Sequence, residues 1–403
     1  MTAIGRALTL LGALVVGAGV GTAQVAAQDI HSGTHPAEAV IKQVIKGFDN
    51  PEAAIFSADG KFVFVANAAE IGSERSPDFG WAEGEGYISK LEVLPSGELK
   101  MVNDKLITGL TAPLGMGVLP VATAKFPRGT IFVCVGSAPL RAADGKVVTD
   151  PARLKTKVLA FNVDGKVLGE IATGPGTVFA EVTGSPIVLI NALGFDRKGN
   201  LYVADTAFGG AQFEPPFMGK GGLWKIPVEA IDALAEGKRP ATLPGFLSIP
   251  GNPDGVQVSP LDGMIYVNTV GPVAGAPDPA NGGIYAVADV TGSLPSPMDS
   301  KLGALDGLDF TAGGTMLNTQ IRGDIPARLY VTCPGKLSTT LMVVPGGSAS
   351  EFNGPADIAV RWMPDGSHLV VVPELFARDA TPGDDEITVL ALPPNFDSAC
   401  RQK

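Results

Sequence analysis

The chain has 403 residues, including 52 Gly and 33 Pro, with only 18% charged residues and a formal net charge of −11. Many turn formers among few charges point to short strands and away from a helical bundle, and the length suits one large domain or two ordinary ones. The negative balance argues against nucleic acid and anionic membranes as partners and leaves small neutral molecules or cations.

Residues 1–27 read as a signal peptide. Arg6 gives a positive start, residues 7–20 are almost wholly apolar or glycine, and Val25 and Ala27 form a small-residue cleavage pattern. The apolar run is short for an anchor and no stop-transfer charges follow it. The chain is therefore expected to be secreted or periplasmic, with residues 28–403 as the mature domain. His31 and His35 fall near its start and are assigned to a mobile terminus.

Residues 39–48 form the first expected strand. Then a phrase begins that recurs along the chain: a polar residue, a short strand, a tight Asp/Gly turn and a second apolar strand. Its first copy is Glu52-Ala-Ala-Ile-Phe-Ser-Ala-Asp-Gly-Lys-Phe-Val-Phe-Val-Ala. A degenerate copy follows at Leu114-Gly-Met-Gly-Val-Leu-Pro with Arg128-Gly-Thr-Ile-Phe-Val-Cys. Clear copies start at Asn191 and Asp254, and weaker ones at Asp306 and Asp357. Further strands are expected at 87–93, 157–163, 222–226, 283–287, 339–344 and 386–392. The only expected helix is 228–236, after Pro227 and ending at Gly237. Cys134 and Cys333 lie in strand-like runs and read as buried, small residues. With Cys400 the count is odd, so pairing is open.

Copies recur about every 50 to 80 residues, room for a four-stranded antiparallel blade. Six units predict an all-β, six-bladed β-propeller, with strand 39–48 completing the blade of strand 386–392 and so removing an open sheet edge. Two stacked sandwiches are the competing architecture, but the phrase runs from 52 to 372 without a linker.

In such a blade the residue preceding the innermost strand faces the central channel. Glu52, Asn191, Asp254, Asp306 and Asp357 hold that place, so several oxygen donors are expected to converge. Packed carboxylates repel and are costly to desolvate. A hard divalent cation relieves both, and Ca2+, which takes oxygen ligands with loose geometry, is the ion expected. The absence of histidine and thiol from the ring disfavours zinc. Asp-Gly is also a common turn dipeptide, yet Glu52 and Asn191 hold the register without a following glycine.

These repeats resemble the six-bladed senescence-marker-protein/gluconolactonase superfamily, also called regucalcin-like, over residues 45–392. The resemblance implies that Glu52, Asn191 and Asp254 hold the metal ion, that the ion polarises a lactone or ester carbonyl, and that Asp254 handles the proton of the attacking water. Asp306 is a second candidate for that proton transfer. Family members often begin the second blade with an Asn; here Thr111-Ala-Pro-Leu-Gly offers no amide or carboxylate. Asp357 is a candidate substrate contact. Trp81, Phe208 and Phe213, in long loops at 70–86 and 206–221 on the same face, are candidate substrate contacts from an apolar lid.

The sequence thus predicts a metal-dependent hydrolase of lactones or related esters, acting on small molecules as a monomer. The alternative is a non-catalytic binding propeller with a structural metal ion, which the empty second-blade position favours. A quinone or haem redox enzyme is disfavoured, since neither ring-facing basic residues nor haem-ligating motifs are evident. With His368 expected at a strand edge, no serine–histidine pair suggests itself.

Overall fold

The structure, a computed structural model, describes residues 33–71, 80–137, 140–142, 144–146, 148, 150–206, 221–271, 282–322, 328–344, 352, 354–375 and 385–400. They form a six-bladed β-propeller. From inside outward, blade 1 is Pro51–Phe56, Phe62–Asn67, Gly86–Val93 and Leu99–Leu110. Blade 2 is Met116–Val118, Ile131–Val135, Lys157–Phe161 and Val167–Ala172, and blade 3 is Ile190–Phe195, Leu201–Asp205, Gly222–Ile226 and Gly245–Ser248. Blade 4 comprises Pro253–Val258, Ile265–Thr269, Gly283–Val287 and Ser296–Ser300. Blade 5 comprises Ala304–Phe310, Met316–Arg322, Arg328–Thr332 and Thr339–Thr340.

Blade 6 closes the ring as the sequence leads one to expect. Its strands Ala359–Trp362, His368–Glu374 and Glu386–Leu392 come from the end of the chain, and Ala39–Lys46 pairs antiparallel with Glu386–Leu392 from the start. The segment expected as one strand at 339–344 is split. Thr339–Thr340 finishes blade 5, whereas Val343–Val344 pairs in parallel with Ala39 and Val40 and so ties blade 5 to the closing strand.

Second strands are mostly apolar because each lies between two other blades. Ile131–Val135 is buried at every residue, a pattern that only a strand covered on both faces sustains. One apolar cluster fills each gap between neighbouring blades. Phe64, Ile88 and Ile131 join blades 1 and 2, Phe132, Val203 and Trp224 join blades 2 and 3, and Leu317, Val331 and Val370 join blades 5 and 6. The remaining three gaps are filled in the same way. Each fully buried side chain of this size contributes roughly 1.5–3 kcal/mol.

The helix Val228–Ala235 forms where expected and buries Ala230, Ile231 and Leu234. Two shorter ones, Val178–Thr183 and Phe396–Ala399, were not expected from the pattern, because neither is long enough to show a full hydrophobic period. The first is fixed by its ends: Thr177 accepts the Ala180 N–H and Gly184 adopts φ 70°.

The second helix carries Cys400 to Cys333 in a disulfide, while Cys134 is free and buried. His35 departs from the sequence expectation. It is not in a mobile terminus but 3% exposed, its ring 4.5 Å from that of Phe396 and its Nε2 3.9 Å from Cys400 Sγ. His368 opens the second strand of blade 6 and is buried, where its Nε2 accepts the Ala312 N–H at 3.3 Å. No helix among the described residues is long and apolar enough to cross a membrane.

Candidate functional site

The inner strands of blades 1, 3, 4 and 5 share an irregularity at one place. Pairing with the second strand slips between Pro51 and Ala53, Ile190 and Leu193, Pro253 and Val256, and Leu305 and Leu308. The residues released from the ladder include Glu52, Asn191, Asp254 and Asp306. A β-bulge re-aims a side chain while the strand continues, so these four ring positions are bulge positions.

Local sequence explains how the chain reaches two of them. Asn50 and Asn252 take left-handed backbone angles, φ 52° and 59°, which asparagine tolerates better than most residues. Their side chains then anchor the turn, Asn50 Nδ2 donating to Leu375 O and Asn252 Nδ2 to Gly271 O. Proline follows each, and then the acid: Asn50-Pro51-Glu52 and Asn252-Pro253-Asp254. The same steps in blade 2 run Ala112 (φ 42°), Pro113 and Leu114. Leu114 is fully buried in the core between blades 2 and 3, so blade 2 places a hydrocarbon at the ring position. The nearby hydroxyl of Ser137 donates to Ile190 O at 2.6 Å.

The glycine after the ring residue has a different cause from a turn. A Cβ on Gly255 would stand 2.4 Å from Asp306 O, one on Gly307 2.4 Å from Asp357 Cα, and one on Gly115 2.6 Å from Ala192 Cα. Each inner strand leans on the ring residue of the next blade, and only glycine fits between. Backbone hydrogen bonds follow the same route: Gly115 N–H donates to Asn191 O, Gly307 N–H to Ala356 O, and Asp357 N–H to Glu52 O at 3.2 Å, which closes blade 6 onto blade 1.

Second-strand side chains brace the bulges, a feature the sequence analysis missed. Asn268 Oδ1 accepts the Gly255 N–H at 2.7 Å, and its Nδ2 donates to Gly307 O at 3.0 Å, joining the blades of Asp254 and Asp306. Thr319 Oγ1 accepts the Gly307 N–H and donates to Ala356 O. The available signal was the polar residue at or near the end of otherwise apolar second strands: Asn67, Asp205, Asn268 and Glu374, each fully buried.

Glu52, Asn191, Asp254 and Asp306 are buried, and Asp357 is half-buried in the channel wall. Burial holds the Asp254 carboxyl far above the usual range, and the charges of Asp306 and Asp357 push it further. Asp306 is raised first by burial and then by Glu52 and Asp357. Asp357 is raised by burial to about 8, although the Ile358 N–H bonds its Oδ1. Asp254 and Asp306 thus each stand close enough to other acids to be raised by their charge. No ion pair among the described residues reaches Asp254, Asp306 or Asp357.

The donor set fits a hard divalent cation. Asp254 Oδ1 is buried without a hydrogen-bond partner, the donors at hand are carboxylate and amide oxygens, and the nearest thiol, Cys134, is fully buried and held protonated by that burial. Trp81 is not on a free loop. It lies in the strand Gly80–Ala82, which pairs with Leu140–Arg141, and packs into the core between blades 2 and 3. Phe208 and Phe213 lie outside the described residues.

No family model matches the sequence, and no curated protein matches it. Solved structures do share the fold. An aldose sugar dehydrogenase from Streptomyces coelicolor in its PQQ-bound form is 12% identical, with 90% of this chain and 100% of that chain covered and a TM-score of 0.51. An oxidoreductase (glucose dehydrogenase) from Thermus thermophilus is 17% identical, covering 86% of this chain and 99% of that one at a TM-score of 0.50. A gluconolactonase from Xanthomonas campestris is 11% identical over 90% of this chain and 97% of its own, at a TM-score of 0.49. At such identities the likeness concerns the propeller alone.

Proposed function

We propose that the protein is an exported, metal-dependent hydrolase of lactones or related esters, its site formed by Glu52, Asn191, Asp254 and Asp306. The observation that supports this best is the buried, partnerless Oδ1 of Asp254, in a carboxyl that, like that of Asp306, burial and neighbouring acids push up. Glu52, Asn191 and Asp254 would hold a divalent cation such as Ca2+. When bound, the cation supplies Lewis-acid polarisation of the substrate carbonyl and charge compensation for the ring.

The chain itself supplies position and a proton acceptor. The bulges fix where the carboxylates stand, and Asn268 keeps the blades of Asp254 and Asp306 in register. Burial, and after it the charges of Glu52 and Asp357, makes Asp306 more basic than a free carboxylate, which suits it to take a proton from water. Asp254 has the same character and is the alternative acceptor. Asp357, half-buried in the channel wall, is the candidate substrate contact.

The test is hydrolysis of a panel of lactones and esters by purified protein, before and after chelation. Turnover that disappears with chelator, returns with Ca2+, and is lost in Asp254→Ala supports the proposal. Turnover indifferent to both would overturn it. The Leu114 position favours a second reading, a binding propeller with a structural ion; its sign is ion-dependent stability with no turnover of any panel member.

A further inference from the structure

The channel has a second end with different chemistry. Beyond the ring it narrows past Ala54, Gly115, Ala192 and Gly255 and then opens into a cavity of about 310 Å³ on the opposite face. Phe56, Val118, Phe195 and Val360 give that cavity apolar walls. Gln257 and Asp309 stand in both spaces, at the neck where the channel meets the cavity.

Asp309 holds no ring position, although its charge adds to the rise of the neighbouring Asp357 carboxyl after burial. Its Oδ1 accepts the Phe310 N–H at 2.7 Å and its Oδ2 the Val360 N–H at 2.7 Å, so the carboxyl is fixed across the boundary of blades 5 and 6. It belongs to no ion pair among the described residues, and it is half-buried, open only partly to the cavity. Two charged residues line the cavity beside it, and both are engaged elsewhere. Arg197 donates to Pro260 O, and the Asp196 carboxylate accepts from Lys198 N–H, Asn200 N–H and Nδ2, and Tyr202 Oη. The Gln257 Oε1 accepts the Val258 N–H.

A carboxylate held by two amides inside an apolar recess lacks a counter-charge, and a ligand that brings one gains a charge-assisted hydrogen bond at low dielectric. A recess of this volume falls at the small end of organic ligand sites. We infer that the cavity opposite the carboxylate ring is a binding site for a small organic ammonium ion with an apolar body, its ammonium group meeting Asp309 and its body lying against Phe56, Phe195, Val118 and Val360. A bare metal ion would leave these apolar walls without a partner, and a neutral ligand would leave the carboxylate without one.

The probe is 2-phenylethylamine, compared with its neutral counterpart 2-phenylethanol, titrated at pH 8.5, above the value of about 7 to which burial raises Asp309, into the intact protein saturated with Ca2+ so that ring carboxylates are occupied. The amine is expected to bind at least about tenfold more tightly than the alcohol, and Asp309→Asn to remove that preference. Amide chemical shifts on the unaltered protein give a second readout that does not depend on the variant folding. They should move most at Phe310 and Val360, whose N–H groups hold Asp309. Equal binding of amine and alcohol, or shifts centred on Gly255 and Gly307 beside the ring, would overturn the inference.

Discussion

Crowded, buried carboxyls must make the metal-free protein less stable as pH rises, and the size of that effect follows from the structure. Asp309 is raised by burial to about 7 and Asp357 by burial to about 8, from 3.8 in both cases. In the folded state these groups keep protons that the unfolded chain has already released. Stability is then highest below the unfolded value and is lost as pH climbs through the folded one. Each carboxyl still protonated when folded gives a slope of about 1.4 kcal/mol per pH unit, and the full loss is roughly 4 to 6 kcal/mol per group. His35 and His368 act oppositely. Burial lowers both, so they favour the folded state as pH rises through about 6.5. The window from pH 7 to 8.5 isolates the carboxyls. Urea unfolding in chelator, followed by fluorescence of the buried Trp224, should show stability falling across that window. The slope should be shallower in Asp309→Asn, and Ca2+ should restore more stability at pH 8 than at pH 5. A stability that is flat or rising from pH 7 to 8.5 in chelator would refute the reasoning.

Other substitutions probe the architecture around the ring. Gly255→Ala and Gly307→Ala should each cost about 1–3 kcal/mol in thermal or urea unfolding, since the added Cβ would meet the next blade's backbone at 2.4 Å. Asn268→Ala strands the Gly255 N–H and leaves the Gly307 carbonyl with only the Thr319 hydroxyl as donor; a loss of about 1–3 kcal/mol is expected, with weakened Ca2+ binding measured calorimetrically. Replacing Cys333 and Cys400 by serine removes a cross-link spanning 67 residues. It should lower stability by about 2–4 kcal/mol under oxidising conditions and leave the reduced protein nearly unchanged.

The propeller was legible because its signal repeats. Apolar second strands such as Ile131–Val135 are buried on both faces and need no alternation, and the polar residue that opens the repeat keeps one register from Glu52 to Asp357. Closure by Ala39–Lys46 was legible for the same reason, since a last blade short of a strand must find one. What the sequence concealed depends on contacts between blades. The glycines after Leu114, Asp254 and Asp306 resemble turn glycines until the neighbouring strand is seen against them. Asn268 looks like the end of a strand, and only the fold shows it spanning two blades. Cys333 finds Cys400 because a four-residue helix too short to leave a periodic pattern returns the chain to blade 5.

The central claim is that the ring of Glu52, Asn191 and Asp254 holds a divalent cation, and calorimetric titration of Ca2+ into chelator-stripped protein tests it most directly. The account predicts one saturable site, lost or greatly weakened in Glu52→Gln and Asp254→Asn while Asp309→Asn retains it. No saturable heat in the unaltered protein, or binding undiminished in both ring variants, would contradict it.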